Sequence, residues 1–554
     1  MYKTAINFVA HSNALKIKNK LSSVNSYAKI ILNFVLHFFR KGLRKLLFIF
    51  ALSPILWLII SLSVLKMPAW QACPVALVIS FFMAWQFFGM PLLDVSTGIL
   101  EGAFMAVWPI LGVIVSAIFA YNLTVHTGGM EKIKAMLSSV STDKRMLILI
   151  IAWGFGAFLE CMSGFGTAVA IGASMLVTVG VNPASAVIAC LISNAAMSSY
   201  GSVGLPLTTL AKLTNFDPLQ IATYTTLQLG VMIILMPFLM LIAFDGMKAL
   251  KGMIPACLIG GIAFFIPSCI GATTMGADLA GIAGAVGAMG ILVLYAKKFP
   301  VQNPEYAIDD FDENFSITFT EAVRAWLPFI LIFIFLILTS KLFPTIQGVL
   351  GAVVIKAVIY TGQNAAPTTF QLLTAPGTLI FVAAILSGFI NKASVSDMTN
   401  VLSRTMKTLI PTFITIITII STARVMGYSG MTMEVANATV VATGTMYPLI
   451  APFIGSIGAF ITGSATSSCV LLGKLQVDSS IAIGANETVQ TWVAAANASG
   501  SCVGKIISPQ SIAIGAAAVG VRGIESQIMK FAVKIYIPFI ILMGLAVYFG
   551  QSLL

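Results

Sequence analysis

Apolar runs close to twenty residues long recur along this chain from residue 46 almost to its last residue. As a helix, such a run spans the hydrocarbon core of a bilayer, where every backbone N–H and C=O must be satisfied inside the span. The alternating ten-residue segments of a membrane barrel are absent. Of 554 residues, 58% are hydrophobic and 9% charged; soluble domains carry roughly 25% charged residues, and a soluble interior has no room for so much apolar surface. The expectation is a polytopic, all-α integral membrane protein with about 12–14 crossings. Spans are expected near 46–65, 72–90, 103–122, 146–160, 185–200, 222–244, 253–270, 277–296, 325–343, 375–390, 408–425, 437–460, 486–500 and 531–550. Shorter apolar segments at 164–180, 204–213, 345–360, 461–475 and 507–520 read as re-entrant or half-helices.

Charge is concentrated rather than spread. The net +12 comes largely from residues 1–45, which hold nine Lys/Arg and no acid. Beside a membrane, this reads as an anionic-lipid or positive-inside signal and not as a nucleic-acid surface. Residues 46–554 form the transmembrane domain. The polar loops 123–145, 297–324 and 391–407 are rich in Lys/Arg, which places them on the cytoplasmic side, although 297–324 also carries Asp309, Asp310, Asp312 and Glu313. If 46–65, 72–90 and 103–122 each cross once, the basic tail and the basic loop 123–145 lie on opposite faces, and the sequence leaves that conflict open. No P-loop appears, so an ATP-driven pump would need a separate subunit.

The seven cysteines are scattered and lack any CxxC; they read as small buried packing residues. Histidine occurs only at 11, 37 and 126. No metal site or cofactor is expected, and no nucleophile–base pair marks an enzyme.

Two stretches resemble each other. GAFLECMSGFG from Gly156 leads to SNAAMSSYGSVGLP, ending at Pro206; GAFITGSATSS from Gly458 leads to ANASGSCVGKIISP, ending at Pro509. Gly156 to Asn194 is 38 positions and Gly458 to Asn497 is 39; from each asparagine to its proline is 12. Ser198 and Ser501, like Gly201 and Gly504, are 303 apart. Paired, interrupted apolar segments in two halves of a membrane protein point to an inverted-repeat transporter with its site at the breaks. The repeat-like halves run over about 146–213 and 448–520.

The breaks hold Ser163, Gly164, Gly166 and Thr167 in one copy and Ser464, Thr466 and Ser467 in the other. Irregular backbone at membrane depth is tolerated only inside protein or along an aqueous cavity. Half-helix N-termini there present free N–H groups suited to a small carboxylate, and nearby hydroxyls bind a second polar group. Asn194 and Asn497 offer both donor and acceptor. Glu160 ends the apolar run MLILIIAWGFGAFL, where a carboxyl group can serve as a proton carrier. Lys505 is flanked by apolar sequence, where a lysine pairs with an acid, binds an anion or snorkels to the surface. Glu101, Asp278, Glu434 and Arg424 are weaker candidates near span ends.

FLECMSGFGTAVAI, CLISNAAMSSYGSVGLPL, FITGSATSSCVL and VAAANASGSCVGKIISPQSIAIGAAAVG together resemble the L-lactate permease family, over about residues 50–550. The resemblance implies an ion-transporter fold with inverted repeats and helical hairpins in a bacterial plasma membrane. It implies proton symport of L-lactate, with D-lactate and glycolate as relatives; sodium-coupled uptake of a related organic anion is the alternative. The implied substrate-binding set is Ser163, Gly164, Gly166, Thr167, Asn194, Ser198, Ser464, Thr466, Ser467, Asn497, Ser499, Lys505, Ser508 and Gln510, with Glu160 for proton coupling. Three positions depart from the family pattern: Ala465 stands where an acid is usual, Cys469 where an amide is usual and Ala168 where a proline is usual. The partners implied are the hydroxy-monocarboxylate, protons and membrane lipid.

Overall fold

The computed structural model describes residues 46–554 apart from 165, 302, 309–315, 364 and 522–523, and omits the side chains of Ser63 and Thr167. The basic segment 1–45 and the acids at 309, 310, 312 and 313 therefore lie outside the described residues.

Helices dominate. α1 (Leu46–Leu62) and α2 (Ala69–Phe87) lead into α3 (Leu92–His126), which bends at Trp108 ahead of a cis Trp108–Pro109 bond. Trp108 has extended backbone (φ −137°, ψ 126°), so α3 is two helical segments joined at a kink rather than one straight rod of 35 residues. The short surface helix α4 (Gly129–Ser138) precedes the first copy: α5 (Lys144–Ser163), α6 (Thr167–Thr178), α7 (Pro183–Met197) and α8 (Gly201–Thr214). Next come α9 (Pro218–Asp245), α10 (Ile254–Thr274), α11 (Ala277–Lys298), α12 (Phe319–Leu338) and α13 (Pro344–Gly351).

A two-stranded antiparallel hairpin follows, β1 (Val354–Ala357) and β2 (Thr368–Gln371), with Val354 opposite Gln371. α14 (Pro376–Ile390), the amphipathic α15 (Val395–Thr408), α16 (Ile410–Ser429) and α17 (Met431–Thr443) lead to the second copy. That copy is α18 (Tyr447–Thr462), α19 (Ala465–Ala482), α20 (Glu487–Ile506) and α21 (Pro509–Ala518), and α22 (Glu525–Gly550) closes the chain.

Eleven helices among the described residues are long and apolar enough to cross a membrane, and three shorter apolar ones accompany them. The expected half-helices at 164–180, 204–213 and 507–520 correspond to α6, α8 and α21. Segment 345–360 differs: it gives one short helix and then β1. Its Val353, Val354, Ile355, Val358 and Ile359 are β-branched and bounded by Gly351 and Gly362, which favours a strand over a helix. Segment 461–475 is also longer than expected, since α19 runs 18 residues.

The helices form an inner group and an outer shell. The most apolar windows of Lys144–Ser163 and Pro183–Thr214 are wholly buried, whereas those of Ala69–Phe87 and Phe319–Leu338 are 28% buried. On α10, Leu258, Ile262, Ile266 and Ile270 form an exposed apolar row four residues apart. α19 and α20 carry too many Ser, Thr, Asn, Gln and charged residues to face lipid, and nearly all their residues are buried in protein. α18 and α20 approach closely through glycines. A Cβ on Gly500 would fall on the Pro452 carbonyl, and one on Gly504 on the Ser456 carbonyl.

The three basic loops meet on one face. Ile308 N donates to Thr142 O at 3.0 Å, Lys132 pairs with Glu321 at 3.1 Å, and Asn391 Nδ2 donates to Arg324 O at 3.1 Å. Arg145 is pinned there by Asp143 (Nη2 to Oδ2, 2.7 Å), by the Lys251 carbonyl at 2.8 Å and over the Tyr306 ring. The β1–β2 segment is held to α3 instead: Trp108 Nε1 donates to Gln371 O at 2.6 Å, and Thr368 Oγ1 donates to Glu101 Oε1 at 2.7 Å.

Candidate functional site

The first break follows from its glycines. α5 stops at Ser163; Gly164 has φ +65°, ψ −153° and Gly166 has φ +78°, ψ 1° before α6 restarts at Thr167. Such backbone is strained for any residue with a Cβ. A side chain on Gly164 would also run into Ser202 Oγ, which donates to Ser163 O at 2.9 Å. The second copy breaks likewise: α18 ends at Thr462, Gly463 is left-handed at φ +67°, and Ser464 caps α19 by accepting from Ser467 N at 3.2 Å. A Cβ on Gly463 would collide with Gln510. So in each copy the first break lies against the second, Gly164 against Ser202 and Gly463 against Gln510.

The second breaks differ in how they are made. In the first copy, Ser202, Val203 and Gly204 are all left-handed and wedge against the start of α11 at Ala277. In the second, the chain turns at Ser508 with Pro509 as the first residue of α21. α7 and α20, the helices before these breaks, both begin on an asparagine cap: Asn182 accepts from Ala184 N and Asn486 from Val489 N.

The charged centre joins three helices. Glu160, 2% exposed and four residues before Gly164, takes Lys505 Nζ on Oε1 at 2.7 Å. Its Oε2 accepts from Asn194 Nδ2. Lys505 and Asn194 are 6% and 2% exposed. Gly201 faces Oε1 closely enough that a Cβ would stand 3.1 Å away, so its lack of a side chain makes room for the carboxylate. Three residues singled out from sequence on α5, α7 and α20 are thus one cluster. A buried ion pair of this kind persists only when each charge is compensated, because removing one partner strands the other in a medium that solvates it poorly.

The remaining candidates fall into two groups. Ser198 Oγ donates to Ala195 O at 2.9 Å and reaches Cys502 Sγ at 3.4 Å. Ser199 Oγ donates to Ala498 O at 2.8 Å and lies 2.9 Å from Cys502 Sγ. These contacts fasten α7 to α20. Asn497 does not join Glu160: its Oδ1 accepts from Gln476 Nε2 at 3.2 Å, and Gln476 Oε1 accepts from Tyr447 OH at 2.7 Å. Asn497 Nδ2 and Ser508 Oγ are buried without a hydrogen-bond partner among the described residues. Ser499 Oγ donates to Gln228 Oε1 at 2.7 Å, which ties α20 to α9. Thr466 is half-buried on the first turn of α19 and Gln510 is exposed; the Thr167 side chain lies outside the described residues.

Sequence reading missed Ser199, Ser202, Gln228, Gln476 and the pair Lys474–Asp478 (2.6 Å, i to i+4 on α19). Asp478 is as buried as Glu160 but sits among Lys474, Gln476, Ser479 and Ser480, so no apolar run set it apart. Glu101, set aside as a span-end acid, is buried and accepts from Tyr428 OH at 2.5 Å, while Arg424 Nη1 donates to that same hydroxyl at 3.3 Å.

A family profile described as L-lactate permease matches residues 47–554. An L-lactate permease of Streptococcus iniae is 40% identical over 455 residues, covering 82% of this chain and 94% of that protein. A glycolate permease of Escherichia coli is 32% identical over 531 residues, covering 89% and 94%. Among solved structures, the YdaH transporter of Alcanivorax borkumensis aligns over 81% of this chain and 87% of its own, with a TM-score of 0.44 and 12% identity.

Proposed function

This chain belongs to the L-lactate permease family, and on that footing we propose that it takes up L-lactate, with D-lactate and glycolate in the same class, by symport with protons. It is a multi-pass protein of the bacterial plasma membrane, and the family is one of permeases, not enzymes. The observation that carries the reading is the Glu160–Lys505–Asn194 cluster, enclosed by protein beside a glycine break. A 2-hydroxy monocarboxylate needs a cation or free N–H groups for its carboxylate and a donor–acceptor pair for its hydroxyl. Lys505 and the N-terminal turns of α6 and α19 supply the first kind. Ser464, Thr466, Ser508 and Asn497 supply the second, and two of these hold buried polar atoms without a partner.

The two copies act as inverted repeats around this cluster, and the matched order of helix, break, helix, helix, break, helix supports that reading. Reconstituted full-length protein tests the function. Counterflow of labelled lactate identifies a carrier; a pH jump at constant sodium should drive uptake. Uptake driven equally by a sodium jump at constant pH would transfer the assignment to sodium symport.

A further inference from the structure

We infer that Lys505 is the receptor for the substrate carboxylate and that protonation of Glu160 is what frees it, so that one proton crosses with each carboxylate and no net charge moves. The inference rests on the transport reading above and deepens it.

Lys505 Nζ already has a carboxylate at 2.7 Å, and both side chains are enclosed. A substrate carboxylate therefore competes with Glu160 for the same ammonium. Elsewhere among the described residues, the buried Asp143–Arg145 pair lies with the basic loops, and the buried Asp478 pairs with a partly exposed Lys474 one turn away on α19. When a proton adds to Glu160, the charge-assisted N–H···O bond becomes a weaker bond to a neutral acid, and the ammonium can turn to an incoming carboxylate. On the other side of the membrane the steps reverse: the carboxylate leaves, the Glu160 O–H bond breaks, its proton departs to water, and the ion pair closes again.

Asn194 fits both states. Its Nδ2 donates to the ionised carboxylate, and after an amide flip its carbonyl accepts the O–H of the protonated acid.

Charge counting then gives the coupling. The empty site holds Glu160 and Lys505 at net zero. Proton alone makes it +1, substrate anion alone makes it −1, and both together return it to zero. Burying an uncompensated charge is costly, so only the two neutral states pass between inward and outward orientations. Of the titratable groups around the cluster, Cys161 neighbours Glu160 and Cys502 neighbours Lys505, while the Tyr200 hydroxyl donates to Thr226 Oγ1 at 2.8 Å. Asp278 and Lys212 interact with each other, Asp278 at the start of α11 against the Gly204 kink.

The test uses full-length protein in proteoliposomes and in detergent. Uptake into proteoliposomes should follow the pH gradient and ignore a potassium diffusion potential set with valinomycin. In weakly buffered detergent solution, binding of lactate should take up about one proton per lactate, and half-saturation should rise about tenfold per pH unit over the range in which that proton uptake is seen. Glu160→Gln should keep lactate exchange, lose pH-driven accumulation and bind lactate independently of pH. Lys505→Gln should lose saturable lactate binding. Uptake that follows the diffusion potential, binding without proton uptake, or accumulation by Glu160→Gln on a pH gradient would each overturn the inference while leaving lactate transport standing. Wild-type protein that moves neither lactate nor glycolate would overturn the transport reading itself. The wild-type measurements decide the matter even if a variant fails to fold.

Discussion

Ser199, two residues past the end of α7, and Cys502 on α20 are 303 positions apart, the interval that also separates Asn194 from Asn497, and their side chains touch at 2.9 Å. Two residues equivalent under an internal repeat meet only where the repeat's symmetry axis passes between them. The flanking bonds match as well: Ser198 donates to Ala195 O and Ser501 to Ala498 O, again 303 apart. We read this as the pseudo-two-fold axis of the protein, with Glu160 and its partners beside it. Ser199→Cys should accordingly form a disulfide with Cys502 under mild oxidation, seen as the loss of two titratable thiols relative to the reduced variant. Two thiols that stay free would place the axis elsewhere.

The glycine seam between α18 and α20 should tolerate no enlargement. Gly504→Ala sets a methyl group against the Ser456 carbonyl and Gly500→Ala against that of Pro452, where backbone cannot yield. Each should lower stability by about 1–3 kcal/mol in detergent melting. Gly290→Ala, with open space around its Cβ position, is the matched control and should melt like the wild type.

The break glycines combine backbone strain with close approach, and the two effects separate experimentally. Gly166→Val is left-handed and abuts Ile514 on α21. It should raise the half-saturation concentration for lactate as well as cost about 1–3 kcal/mol of strain. Gly430→Val, equally left-handed but in open space, carries the strain alone. Equal uptake kinetics in the two variants would remove the first break from the binding site.

Arg145 should be needed for folding rather than transport. It is 1% exposed, paired with an equally buried Asp143, bonded to the Lys251 carbonyl and stacked on Tyr306. Arg145→Ala leaves Asp143 alone and should cost about 3–5 kcal/mol. Arg145→Lys keeps the charge but not the planar fork, so it should recover only part of that loss. Melting temperature and yield of folded protein are the readouts.

On the surface helix α15, the Ser394 hydroxyl and backbone N–H hold the Asp397 carboxyl below its usual value. A lowered folded-state value means the cap's contribution is complete above the unfolded value near 3.9 and is lost as pH falls through the folded one. Hydrogen exchange of the first α15 turn should therefore stay slow down to about pH 4, and Ser394→Ala should make it fast at neutral pH.

The elements were legible wherever lipid does the selecting. An outward face must be apolar for about twenty residues, so α9 to α12 and α22 stand out from sequence. Helices surrounded by protein are freed from that constraint, which is why the polar α19 read as a short fragment. Glu160, Lys505 and Asn194 were each conspicuous as polar groups in apolar sequence, yet nothing in the spacing said that they meet. Glu160 and Lys505 are 345 positions apart, and their meeting depends on how the fold brings α5 against α20. Asp478 was not legible in this way, because the Lys, Gln and Ser residues around it read as an ordinary polar stretch.

The enclosure of the inner helices has a consequence for the tryptophans. Trp153 on α5 has no exposed surface and donates to Gly260 O, whereas Trp70 and Trp85 on α2 face outward. Brominated acyl chains should dim the emission of the outer pair and leave that of Trp153 intact. An acyl-chain quencher would thus report on α2 and not on α5, so the same fluorophore, placed at either position, would tell the outer shell of helices from the enclosed ones.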